Sequence, residues 1–243
     1  MSTSENWEVC VYCNERLATQ REHVIPRSIF FPPRPSNLIT VPSCQPCNSD
    51  KQRYDDFLRD FLSIDDFTNQ HAGSLNLFLG PTGRAIDRNR SRLAKKVLEE
   101  GIVVEVRSPD GELLDWRYAL EIEPCDLEPF FRYVAKGLSF DQYGIRLPKD
   151  AVIDVSHVPP EPFTAIIKGM AESGGAKGPV RLGGDTCVFM SLLVHEYHAV
   201  WAISFFLDRW FAIGVSHPDG DHASDQLLLD RNSDAQKHTP HIE

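Results

Sequence analysis

Apolar positions recur along this chain with two different periods, and the periods separate helices from strands. Tyr54, Phe57, Leu58, Phe61 and Leu62 repeat at helical spacing and form one apolar stripe. The stripe predicts a helix beginning after Cys47, with Asn48 at or near its start and Lys51 about one turn on. Upstream, short apolar runs predict strands at residues 7–12, 22–25 and 38–41, with a turn at 17–21. Pro26 stops the second strand. Phe30-Phe31-Pro32-Pro33-Arg34-Pro35 reads as a loop, because its prolines fix φ and remove backbone donors.

Downstream, residues 63–81 read as a loop with a short apolar piece at 75–79. Residues 83–100 read as a helix stopped by Gly101. Strands at 102–107 and 113–123 flank the turn signal Pro109-Asp110-Gly111. Asp126 is placed to cap a helix reaching residue 140, with Pro129 in its first turn. A strand at 151–155, a helix at 163–171 and a flexible glycine-rich loop at 174–178 follow. Three apolar strands come next, at 186–194, 199–207 and 209–215. The pattern predicts an α+β chain, with an antiparallel sheet carrying helices on one face. The expected units are 1–65, a connecting region 66–100, a domain 101–216 and an acidic, disordered tail 217–243.

Composition adds two constraints. The chain has 243 residues and a net charge of −10, which argues against a protein coated for nucleic acid. The charge is unevenly spread, however. Arg84, Arg88, Arg90, Arg92, Lys95 and Lys96 face a single acid, Asp87, over residues 84–96, a local basic patch suited to phosphate. The most apolar stretch, 187–207, is about long enough to span a bilayer. Its middle is His195-Glu196-Tyr197-His198, so it reads as two strands around a polar turn. That run does not have the His-Glu-x-x-His spacing of a helical metal motif. No secretory pattern is visible at the start, and a cytoplasmic location without membrane association is expected.

The cysteines bring in chemistry. Cys10-Val-Tyr-Cys13 and Cys44-Gln-Pro-Cys47 are two Cys-x-x-Cys pairs, the knuckle spacing of one tetrahedral structural zinc site. A single redox dithiol would need only one pair. A four-thiolate site is closed, so catalysis must come from other residues. Cys125 and Cys187 are left over and read as buried small apolar residues. Between the pairs lies Glu22-His23-Val24-Ile25-Pro26, then Asn37-Leu38-Ile39, and Asn48 and Lys51 follow Cys47. Histidine titrates near neutral pH, which suits a general base.

This order of motifs resembles the HNH endonuclease family over roughly the first quarter of the chain. The resemblance implies a zinc-stabilised ββα-metal unit that hydrolyses phosphodiester bonds, most readily of DNA, leaving 5′-phosphate and 3′-hydroxyl ends. It implies His23 as general base, Asn37 as the residue orienting it, commonly through its backbone carbonyl, and Glu22 with Asn48 as ligands of a catalytic Mg²⁺ or Mn²⁺. Asn48 stands where many members carry a final histidine. Neighbours in a regular strand point to opposite faces, so Glu22 and His23 can both serve only if the strand bends or they approach from different sides. Plainer roles exist for several residues: Asn48 as a helix cap, Asn37 as a turn residue, Lys51 as a solvated charge. Arg21, Arg27, Arg84, Arg88 and Arg92, with Lys51, are the candidate nucleic-acid contacts, against simple exposed charge. The competing reading is a non-catalytic zinc module for nucleic-acid or protein interaction. A further one makes the C-terminal domain a sensor for an unidentified ligand or partner.

Overall fold

The computed structural model describes residues 8–64, 71–195, 197–207 and 209–216, the side chains at 124 and 125 excepted. The expected tail at 217–243 lies outside them, as does Glu196. The chain is mixed helix and sheet. A hairpin of β1 (Gln20–His23) and β2 (Thr40–Ser43) leads into α1 (Gln45–Ile64). Then come α2 (Ala72–Leu77), a π-helical turn (Phe78–Thr82), α3 (Gly83–Asp87) and α4 (Arg92–Glu100). A second hairpin, β3 (Ile102–Arg107) and β4 (Leu113–Ala119), precedes α5 (Pro124–Tyr143), β5 (Val152–His157) and α6 (Pro160–Glu172). The strands β6 (Ala176–Leu182), β7 (Cys187–His195), β8 (His198–Phe205) and β9 (Arg209–Ser216) close the chain.

The last strands form one antiparallel sheet of five, in the order β5-β9-β8-β7-β6. It is covered on both faces, not on one as the pattern predicts. Trp201, Ile203 and Phe205 of β8 join the main core with Phe131 of α5, while Ala202 joins Met190 and Met170 of α6 on the other side. A central strand with helices on both faces reads as an unbroken apolar run, which hides the alternation.

That main core continues without interruption from Cys10, Val24 and Leu58 through Phe131 and Leu138 to Phe211 and Ile213. The N-terminal hairpin and α1 therefore share one core with the C-terminal sheet. Helix α5 is the bridge. Its Gly137 lies so close to Val24 that an added Cβ would sit 2.6 Å from a Val24 methyl.

Other boundaries differ from expectation for identifiable reasons. Of the strand expected at 7–12, the described residues from 8 on form a single bridge, Val9 to Leu17, because the chain turns at the first knuckle; residue 7 lies outside the described residues. The segment 71–82 is helical where a loop is predicted. The Ser74 hydroxyl donates to the Leu62 carbonyl (2.6 Å) and so satisfies the end of α1. The helix at 83–100 is interrupted: Asn89 has φ 53° and Ser91 restarts the helix by accepting from the Ala94 N–H (3.0 Å). Glu123, not Asp126, caps α5, with Asp126 completing a capping box from inside. Part of the glycine-rich loop at 174–178 belongs to β6. Residues 187–207 form β7 and β8 around a turn at Tyr197 (φ 64°). Among the described residues no helix is long and apolar enough to cross a membrane.

Candidate metal centre and the Glu22–His23 strand

The cage begins with a tight turn. The Asn14 N–H returns to the Cys10 carbonyl (2.9 Å) and Asn14 takes φ 56°, a conformation asparagine tolerates. This turn brings Cys13 back beside Cys10. Val11 N–H donates to the Pro42 carbonyl (3.0 Å), which ties the knuckle to β2. Cys44 then sits at the junction of β2 and α1, with Cys47 in the first helical turn. The four Sγ atoms all lie within 4.8 Å of one another, and Cys13 Sγ and Cys44 Sγ are 3.9 Å apart. Zn–S bonds of about 2.3 Å in a tetrahedron separate the sulfurs by roughly 3.8 Å. The donor set and its spacing thus fit zinc.

The local field favours thiolate at part of this site. Burial raises the Cys13 thiol, but backbone N–H groups of Arg16 and Glu15 outweigh it and bring it down to about 7. The Arg16 guanidinium is held in its charged form chiefly by Cys44. Helix α5 supports the cage from behind. The buried Lys136 ammonium donates to the Tyr12 carbonyl (3.1 Å), and the Tyr133 ring meets Tyr12 edge-on at 4.9 Å. Nothing in the spacing of residues 124–143 announces this role. Cys187 is buried in β7 as expected, and burial raises its thiol.

Strand β1 hangs from the same frame, with Glu22 opposite Val41 and His23 opposite Thr40. Alternation sends Glu22 toward α1 and His23, with Arg21, to the other face. Lys51 is the correction here. It is neither solvated nor presented to a phosphate, being fully buried beneath Glu22. Its ammonium donates to both Asp55 oxygens (2.7 Å each) and lies 3.9 Å from Glu22 Oε1. Burial raises the Glu22 carboxyl against the pull of Lys51, and burial pushes Asp55 up to about 6. Asp55 has no place in the sequence reading. Its signal was present: Lys51, Asp55, Leu58 and Leu62 follow one another at i, i+4, i+7 and i+11, one buried helix face.

His23 is half-buried. Burial, then the Arg27 and Lys51 charges, lower it from its ordinary value, so the imidazole is neutral at pH 7. It makes no hydrogen bond among the described residues. Arg21 reaches across to Thr40, donating to its Oγ1 (3.0 Å) and its carbonyl (2.5 Å). Arg27 is exposed. Asn37 donates its side-chain amide to the Arg181 carbonyl of β6 (3.0 Å), which leaves its backbone carbonyl, the group expected to orient His23, untouched by that bond. Asn48 is not a helix cap: its N–H already closes the first turn onto the Cys44 carbonyl (3.0 Å). Arg84, Arg88 and Arg92 are exposed and spread over α3, its C-terminus and the start of α4, not along one helix.

A catalytic Mg²⁺ or Mn²⁺ held by Glu22 and Asn48 would have to displace the Lys51 ammonium, which lies 3.9 Å from Glu22 Oε1. Glu22 and His23 lie on opposite strand faces. Among the described residues the four cysteines are the only cluster of three or more His, Cys, Asp or Glu donors. Comparison of the chain with protein-family models, with curated proteins and with solved structures finds no match.

Proposed function

We propose that this chain is a zinc-stabilised phosphodiester hydrolase of HNH type acting on nucleic acid, with DNA the leading substrate and 5′-phosphate and 3′-hydroxyl products. The observation that carries the reading is His23. Its imidazole is neutral at pH 7, has no hydrogen-bond partner among the described residues, and shares a strand face with Arg21. A neutral imidazole can take the proton of an attacking water. Arg21 and Arg27, on either side of it in sequence, supply positive charge for a phosphate backbone. The four-cysteine site holds β1 and β2 in register and touches no substrate. Mg²⁺ or Mn²⁺, if bound, would have to draw Glu22 away from Lys51 and recruit Asn48.

The buried ion network supports a second reading, a zinc module that binds nucleic acid or protein without cutting it. Lys51 meets the charge of both Glu22 and Asp55 internally, which is what a carboxylate retired from metal binding would look like. One experiment separates the two. Zinc-loaded protein is incubated with supercoiled plasmid, single-stranded DNA and RNA, in Mg²⁺, Mn²⁺ or EDTA, alongside His23→Ala. Cleavage lost in His23→Ala with zinc content unchanged supports the hydrolase. Binding without cleavage, unaffected by that substitution, favours the module.

A further inference from the structure

β3 and β4 form a two-stranded ribbon that no third strand joins among the described residues. A lone hairpin is marginal in water, and this one is strongly apolar on the outside. Trp116 is 57% exposed, Tyr118 63% and Leu114 62%, with Ile102 and Val103 also exposed. Its inner side is only loosely covered, since a cleft of about 660 Å³ separates it from Phe61, Leu93 and Val97. Free strand edges present unpaired N–H and C=O groups to any chain that can align with them. At the Trp116 N–H this is met locally, by the Asp115 carboxylate (2.8 Å).

We propose that the outer edge of β4 pairs with β4 of a second copy of this chain, giving a four-stranded antiparallel sheet across a two-fold axis at Trp116. The strand reads Leu113-Leu-Asp-Trp-Arg-Tyr-Ala119 and is self-complementary about its centre. The axis places Asp115 opposite Arg117 of the second copy, Arg117 opposite its Asp115, Leu114 opposite its Tyr118 and Trp116 opposite its own equivalent; within one chain Arg117 Nε already lies 3.4 Å from Asp115 Oδ2, so pairing extends an existing ion pair across the axis. Opposite charges and aromatic–aliphatic pairs directly across a ladder are the stabilising combinations. Sliding the axis by half a residue sets Asp115 against Trp116 and Arg117 against Leu114, so the charges fix the register. A two-fold contact uses the same patch on both partners, which closes the assembly at two. β3 offers a similar pair, Glu105 and Arg107, but the register shift between Val106 and Arg107 breaks its ladder at that point. A seven-residue edge covers less than the roughly 800 Å² per partner of a standard interface, so micromolar association is expected.

The test uses the full zinc-loaded chain in analytical ultracentrifugation from low to high micromolar concentration. Wild type should move from monomer to dimer. Asp115→Arg puts arginine opposite arginine and Arg117→Asp puts aspartate opposite aspartate, so each alone should weaken dimerisation by about tenfold or more. The double exchange Asp115→Arg/Arg117→Asp should restore it. An equimolar mixture of the two single variants should form a mixed dimer. Both positions are on the surface ribbon, and circular dichroism checks that each of the three variants is folded. A wild type that stays monomeric throughout overturns the proposal. So does a dimer indifferent to Asp115→Arg, or a double exchange that fails to restore pairing.

Discussion

Replacing Lys51 with methionine removes the buried cation and keeps its volume. Lys51 has no exposed surface, and its partner Asp55 is nearly as deep, with side-chain exposure of 11%. The Lys51 charge is what holds both Asp55 and Glu22 down against burial. Without it two carboxyls are left without a counter-charge in one pocket. Removing one member of a buried pair costs about 3–5 kcal/mol. At roughly 2–4 °C per kcal/mol for a chain of this size, the melting temperature should fall by about 6–20 °C at pH 7.5. The pH dependence has a definite sign. Asp55 in the folded protein is raised to about 6 from 3.8, so the folded state holds its proton more tightly than the unfolded state. Stability linked to that proton is complete below the unfolded value and is lost as pH rises through the folded one. In Lys51→Met the folded value moves higher still. The deficit against wild type should therefore shrink as pH is lowered toward 4. Lys51→Met/Asp55→Asn, which removes both charges, should recover part of the loss. The assay is thermal melting by circular dichroism across pH. A Lys51→Met protein melting within about 2 °C of wild type at pH 7.5 would refute the buried-network account.

The other expectations are narrower. Cys44→Ser should abolish stoichiometric zinc, measured by mass spectrometry, and should also destabilise α5 and the main sheet, because the cage shares their core; hydrogen exchange restricted to residues 8–64 would contradict this. Gly137→Ala drives a Cβ to 2.6 Å from the stiff, buried Val24 side chain and should cost about 1–3 kcal/mol in a urea melt. If the chain cleaves nucleic acid, kcat/KM should rise with pH along an acid limb whose midpoint lies below the ordinary 6.5 of histidine, and that limb should vanish in His23→Ala.

How far the sequence speaks depends on whether an element is set locally. The α1 stripe, the Pro109-Asp110-Gly111 turn and the cysteine pairs are local, and the structure contains each, with α1 starting at Gln45, ahead of Cys47 and not after it. The sheet strands β7, β8 and β9 are long apolar runs and are also found close to their expected bounds. What the pattern misses is set by partners far along the chain. Helix α5 shows an amphipathic repeat, but only the fold reveals that Lys136 meets Tyr12 and that Tyr133 donates to Asp50 (2.8 Å). Lys51 looks like a surface charge because lysine is rarely buried unless paired. Its partners are Asp55, one turn away, and Glu22, on another element. Asn37 reads as part of the Glu22–His23 group by order alone, and only the fold reveals that its side-chain amide bonds the Arg181 carbonyl of β6.

These long-range ties give the four-cysteine site leverage over His23. Cys44 follows β2 directly, β2 fixes β1 through the Glu22–Val41 and His23–Thr40 pairs, and Val24 beyond them is wedged against Gly137 of α5. α5 in turn holds the first knuckle through Lys136. The closed loop of contacts runs cage, β2, β1, Val24, α5 and back to the cage. A β1 strand of four residues has too few ladder bonds to hold its own position. Its placement must come from what grips it at both ends, the sulfur cluster on one side and α5 on the other. Loss of zinc and insertion of a methyl at Gly137 should then act on the same variable, the orientation of the His23 strand, from opposite ends. The two perturbations together should cost less than the sum of each alone, as expected when residues share one coupled contact path.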